Sequence, residues 1–128
     1  MSEIIEKPKT LANIEVAYST EEERQTIVHC IYDLTRNIWD SAARIWPSTI
    51  LVCEHTGREF KFHHAEGISL FPDWTIMYGG KKNRFTLIFE PMPRDVKVFE
   101  LYERIPEPRG WRVKGIKRNK SDVYTVTL

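Results

Sequence analysis

One stretch constrains the fold more than any other, Asn83 to Glu103, NRFTLIFEPMPRDVKVFELYE. Phe85, Leu87 and Phe89 alternate with Thr86, Ile88 and Glu90. A Pro91-Met92-Pro93 break follows, and Val96, Val98, Phe99 and Leu101 resume a strand pattern. Period-two alternation sends successive side chains to opposite faces of a strand, and proline cannot donate to a sheet ladder. The stretch therefore predicts two paired antiparallel strands, a long hairpin turned at a proline-bracketed corner. Phe85, Leu87, Phe89, Phe99 and Leu101 are its expected core residues. The class is all-β, and the stretch carries no evident catalytic chemistry.

Further strands follow from the same pattern. Ile14, Val16 and Tyr18 suggest a first strand, and Ser19–Glu23 an acidic turn. Thr26 to Leu34 places Val28, Cys30, Tyr32 and Leu34 on one face. Ser48–Glu54 and Glu59–His64 read as a hairpin turned at Gly57, with Phe60 and Phe62 facing inward. Gly67–Met77 reads as an irregular crossing with a short strand near Trp74–Met77, closed by a turn at Gly79–Asn83. Trp111–Lys117 and Val123–Leu128 supply the last two strands. Asn37–Trp46 reads equally as a helical turn or a bulged strand, ended by Pro47. About eight to ten short strands and at most one short helix point to a sandwich of two antiparallel sheets, with a small barrel as the alternative. Residues 1–11, polar and containing Pro8, read as a flexible arm, and 12–128 as a single domain.

Composition removes several classes. A chain of 128 residues, 41% hydrophobic and 29% charged, buries a core without metal or disulfides. A net charge of +1 is too small for a polycation. No apolar run approaches the roughly 18 residues of a membrane span. The N-terminal MSEIIEKPKT has no apolar core of a signal peptide, so the chain as written reads as cytoplasmic. Cys30 and Cys53 are the whole thiol inventory. A disulfide scaffold carries more, so the expectation is two reduced, buried, unreactive thiols, with one bridge as the alternative.

Candidate chemistry is sparse. His63 and His64 are adjacent and face opposite sides of a strand. His55 with His63 and Glu54 or Glu66 matches no metal spacing. Cys30 alternates with apolar residues, whereas a catalytic thiol needs an exposed, electropositive setting. Glu90, Glu100 and Glu103 flank the long strands, but nothing sets them across a cleft as paired acids. Glu100 is expected to pair at the surface with Arg84 or Arg94. Gly79-Gly80-Lys81-Lys82 precedes a strand, not the helix of a phosphate-binding loop. No catalytic residue, cofactor or metal site is expected, and the chain reads as non-enzymatic.

Binding features remain. The connection from Gly67 to Asn83 is unusually apolar, which makes Phe71, Trp74, Met77 and Tyr78 candidate binding residues. The expected partner is another protein or protein domain. The alternative is a small ligand, carbohydrate or peptide, held by exposed aromatics. A second alternative is weak nucleic-acid binding through Arg109, Arg112, Lys114, Lys117, Arg118 and Lys120 with Trp111 among them. Basic residues on edge strands also guard against aggregation, so this is the less expected use.

An ordered set of fragments carries a resemblance. They are Pro47-Ser48-Thr49 with Leu51-Val52, Gly57 with Glu59-Phe60, and Ala65-Glu66-Gly67-Ile68 with Leu70. Phe85-Thr86-Leu87 with Phe89-Glu90-Pro91 and Pro93 comes next, then Lys97 with Phe99-Glu100-Leu101 and Glu103, then Trp111 with Gly115-Ile116. In that order they resemble a β-rich domain of uncharacterised exported proteins and lipoproteins of Gram-negative gut anaerobes. There it often precedes a thioredoxin-like domain. The resemblance spans residues 11–118 and implies an immunoglobulin-like sandwich, an accessory or interaction role and export. It carries over no catalytic residue. The chain departs from the pattern at Thr75-Ile76-Met77-Tyr78, where relatives carry an aromatic-Met-Pro segment, and it has no Cys-x-x-Cys.

Overall fold

The computed structural model describes residues 24–128. The expected arm, the strand at Ile14–Tyr18 and the acidic turn at Ser19–Glu23 lie outside the described residues. Nine strands and no helix are present among the described residues. They are β1 (Thr26–Asp33), β2 (Ser41–Ala43), β3 (Thr49–Cys53), β4 (Glu59–Glu66), β5 (Thr75–Met77), β6 (Lys82–Phe89), β7 (Val98–Glu103), β8 (Arg112–Lys117) and β9 (Val123–Thr127).

Seven strands form one sheet in the order β8-β7-β3-β4-β6-β1-β9, and β2 and β5 form a separate ribbon. Strand β4 serves two neighbours. Phe60 and Lys61 pair with β3, while His64 to Glu66 pair with β6. The register shifts between Phe62 and His64. An extra residue of this kind bends a strand. The sheet folds over at that point, giving a sandwich-like arrangement. Phe99 of β7 meets Tyr124 of β9 edge to face, with centroids 4.9 Å apart. Trp111, just before β8, lies 5.6 Å from Phe85 of β6 and 5.6 Å from Tyr32 of β1. Phe85, Leu87, Phe89, Phe99 and Leu101 are all buried in the core between these halves, as the alternation predicts.

The pairing differs from expectation in two ways. Strands β6 and β7 do not form a hairpin: β6 pairs with β1 and β4, and β7 with β3 and β8. Residues 90–97 instead carry the chain from one half of the sheet to the other. Pro91 and Pro93 lack the N–H a ladder needs. Met92 and Val96 are buried between the halves and anchor the crossing by apolar burial. The large sheet is also mixed rather than wholly antiparallel, because β9 runs parallel to β1. Asn37–Trp46 resolves into a turn, β2 and an isolated bridge from Ile45 to Leu70.

Residues 118–122 join β8 to β9, the two end strands of the sheet. A buried polar cluster holds this turn. Arg118 Nε donates to Asp122 Oδ1 at 2.7 Å, and Arg94 Nη2 to Asp122 Oδ2 at 2.6 Å. Arg118 also donates to the carbonyls of Met92, Pro93 and Val96 at 2.7, 2.6 and 3.1 Å. Tyr124 gives its hydroxyl proton to Asp122 at 3.1 Å. Asp122 has φ of 59°, a left-handed conformation that Asp and Asn tolerate best among residues with side chains. Arg94 therefore serves Asp122, and Glu100 pairs with Arg112 at 2.6 Å, not with Arg84 or Arg94.

Two stability outcomes follow. Phe89→Ala removes a fully buried ring that packs edge-on against Phe62, and should cost about 3–5 kcal/mol in urea unfolding. Asp122→Asn keeps the shape and the backbone tolerance but strands a buried guanidinium. It should cost roughly 3–5 kcal/mol. The loss should persist in high salt, since a buried pair is screened little. A loss that disappears in salt would assign the cluster to the surface.

Candidate functional site

The ribbon caps one end of the core. Ala43 and Met77 point inward and are buried, while Ala42 and Ile76, paired across the ribbon, are exposed. Alternation continues the exposed row through Trp74, Ile76 and Tyr78, which are 58%, 59% and 51% exposed. Phe71 is exposed as well. Met77 is out of phase with this row, only 2% exposed, and belongs to the core. Its place among the candidate binding residues is corrected accordingly.

Neighbouring contacts fix this surface. Asn83 is buried and clamps Tyr78: its Oδ1 accepts from the Tyr78 amide at 2.8 Å, and its Nδ2 donates to the Tyr78 carbonyl at 2.9 Å. Gly79 donates to Asp40 Oδ1 at 2.9 Å. A Cβ at Gly79 would sit 2.5 Å from the Trp39 carbonyl oxygen, so only glycine lets the 37–40 turn lie this close. That turn exposes Ile38 and Trp39 beside Tyr78. Sequence reasoning missed both, because Asn37–Trp46 has no clear period.

Arg44 follows β2 by one residue, and Trp74 precedes β5 by one. Its guanidinium carbon lies 3.8 Å from the Trp74 ring centroid and 4.6 Å from that of Phe71. It donates to the Pro72 carbonyl at 3.0 Å and approaches Glu107 at 3.9 Å. Trp46 packs on Phe71 with centroids 4.0 Å apart. One arginine thus pins the aromatic loop to the ribbon.

A pocket of about 270 Å³ opens where the ribbon meets residues 103–111. Tyr32, Trp46, Trp74 and Trp111 supply aromatic walls, and Glu103, Glu107, Arg44 and Arg109 the charges. Glu103 accepts from the Trp111 amide at 3.2 Å. Burial pushes its carboxyl above the usual range, although the backbone amides of Trp111 and Trp46 pull the other way. Sequence reasoning named Trp74 as a binding residue for a protein or small ligand, and Arg109 and Trp111 only as part of a basic nucleic-acid stripe. It did not bring them together, because they come from distant segments.

A second cleft, of about 800 Å³, lies at the opposite end of the strands. Cys53, His55, Arg58, Asp95 and Lys97 are among its lining residues. Both cysteines are free and buried. Burial pushes the Cys30 thiol up to about 12. Burial also raises Cys53, but hydrogen bonds from the Thr56 side chain and the backbone of Thr56 and His55 outweigh it and bring the thiol below its ordinary value. The described residues hold no group of three or more His, Cys, Asp or Glu placed to bind a metal ion. In the basic stretch, Arg112 and Arg118 are already committed to Glu100 and Asp122.

No family model matches the chain, and neither the curated proteins nor the solved structures contain a match.

The two thiols should differ in reactivity. Iodoacetamide at pH 8 should modify Cys53 at least about tenfold faster than Cys30, because thiolate fraction and access both favour it. Peptide mass mapping of the native protein checks this. Equal labelling of both, or Cys30 first, would contradict the assignment.

Proposed function

We propose that the chain is a non-enzymatic interaction module that docks another protein or protein domain on the outer face of the β2–β5 ribbon. One observation carries the reading. Of the eight large hydrophobic side chains exposed among the described residues, seven lie in two adjoining segments, Ile38-Trp39 and 70–78. Scattered exposed hydrophobics are ordinary, but a contiguous group marks a contact surface. Aromatic residues are also enriched where proteins meet. The resemblance to an immunoglobulin-like domain of exported proteins supports the same accessory role. A second reading, a small-ligand binder, is favoured by the aromatic-walled pocket beside Trp74. Nucleic-acid binding loses support from the two arginines already paired.

Site-specific photocrosslinking tests the docking surface. A benzophenone side chain at Tyr78 in the full chain should give a discrete adduct in cells, identifiable by mass spectrometry. The same probe at Lys114, exposed on β8, should give none. Ile76→Asp should remove the adduct without lowering the melting temperature by more than a few degrees, since the site is exposed. Adducts of equal yield at both positions, or none at Tyr78, would reject the ribbon as the docking face.

A further inference from the structure

We propose that the pocket between the ribbon and residues 103–111 binds an alkylammonium group, carried by a small amine or by a lysine side chain of a partner. The proposal rests on reading the pocket as a ligand site and does not require that a partner dock on the ribbon.

The pocket holds a nearly buried carboxylate with no ion-pair partner among the described residues. Glu103 lines the pocket and is only 6% exposed. Backbone amides serve it instead of a cation: the Trp111 N–H lies 3.2 Å away, the Trp46 amide also acts on it, and no cationic side chain among the described residues comes within 4.0 Å. A buried carboxylate without a counter-ion is costly. Arg44 acts on Glu103 from beyond 4.0 Å and offsets its burial only in part, its donors being turned to the Pro72 carbonyl and Glu107. An entering cation relieves the imbalance.

The walls favour the same chemistry. Trp and Tyr faces attract cations, Trp most strongly. Arg44 already demonstrates this within the chain, stacked 3.8 Å over Trp74. A pocket of about 270 Å³ has room for a short alkyl stem and its ammonium head. A neutral sugar also stacks on aromatic faces, but it leaves Glu103 without an ion pair. The unpaired Glu103 carboxylate therefore selects the cation over the sugar.

Acid should weaken binding. An alkylammonium stays charged throughout the neutral range, so the titrating partner is the carboxylate. Burial raises the Glu103 pKa, and affinity falls as pH drops through it. Arg44 on the ribbon, Glu107 and Arg109 in the following loop and Tyr32 on β1 face the same space. A Glu103→Gln variant separates the effect of Glu103 from theirs.

The test uses the full chain and follows tryptophan fluorescence and amide chemical shifts at pH 7.5. The probes are n-butylammonium, N-acetyl-lysine-methylamide, n-butanol and methyl α-glucoside. Saturable binding of both amines is expected, with shifts centred on Trp74, Glu103 and Trp111. Glu103→Gln should weaken it about tenfold or more and flatten its pH profile. Trp74→Leu, at an exposed position, should weaken it several-fold and guards against a fold defect in the first variant. Tighter binding of the lysine probe assigns the site to a partner's side chain, and tighter binding of n-butylammonium to a free amine. Ile76→Asp should leave amine binding intact while abolishing the ribbon adduct, which separates the two proposals. Saturable binding of the glucoside or butanol with none of the amines would overturn the cation and keep a ligand pocket. No saturable binding by any probe would overturn both, as would amine affinity unchanged in Glu103→Gln and Trp74→Leu.

Discussion

The ion pair between Arg118 and Asp122 holds together parts of the sheet that have no ladder between them. The sheet folds at β4, and that fold brings its end strands β8 and β9 to one side of the molecule. The crossing at 90–97 runs nearby with carbonyls that no strand pairs. The donor fork of Arg118 serves both needs, giving to Asp122 and to the carbonyls of Met92, Pro93 and Val96. Burying a guanidinium is expensive unless its donors are met, and here most are. Arg94 completes the carboxylate from its other side, at the cost of a buried Nε with no partner. The cluster's main gift is geometry. It turns the chain after β8 so that β9 enters beside β1 in the parallel sense, where a short connection would otherwise favour an antiparallel hairpin.

Strand identity was legible because it is local. The alternation of Phe85, Leu87 and Phe89 states a buried face whatever the strand pairs with. Pairing was less legible, because it is non-local. The eight residues 90–97 between β6 and β7 exceed the two to five of common hairpin loops, and the prolines withhold donors. Both facts argued for a crossing, but the strong flanking patterns suggested direct partners. Arg118 was illegible for a different reason. Among Arg112, Lys114, Lys117 and Lys120 it reads as one more surface cation, and only the folded chain shows which carbonyls surround it.

The candidate surface divides along the same line. The apolar character of 67–83 exposed it as unusual, and period two would have separated Met77 from Trp74, Ile76 and Tyr78. The pocket had no such signature. Tyr32 and Glu103 belong to strands far apart in sequence and meet only because Trp111 packs against Tyr32 while its amide holds Glu103. Non-local sites of this kind leave composition as their trace, here four tryptophans in 128 residues, three of which line the pocket.

A two-stranded ribbon is not stable in isolation, so β2 and β5 need the core that Ala43, Ile45 and Met77 join. Burying that face leaves the other without a covering layer. The exposed row of Trp74, Ile76 and Tyr78 is therefore a consequence of how the end of the sandwich is capped. Arg44 gives the row a fixed shape by stacking on Trp74 and holding the Pro72 carbonyl. Trp74 also lines the pocket, so it is common to both proposed contacts. Two ligands that share a side chain are thermodynamically linked, and the linkage is reciprocal. If a bound cation draws Arg44 or Trp74 into a different arrangement, the surface beside Ile76 changes with it. A partner that prefers that arrangement must, by the same amount, tighten the hold on the cation.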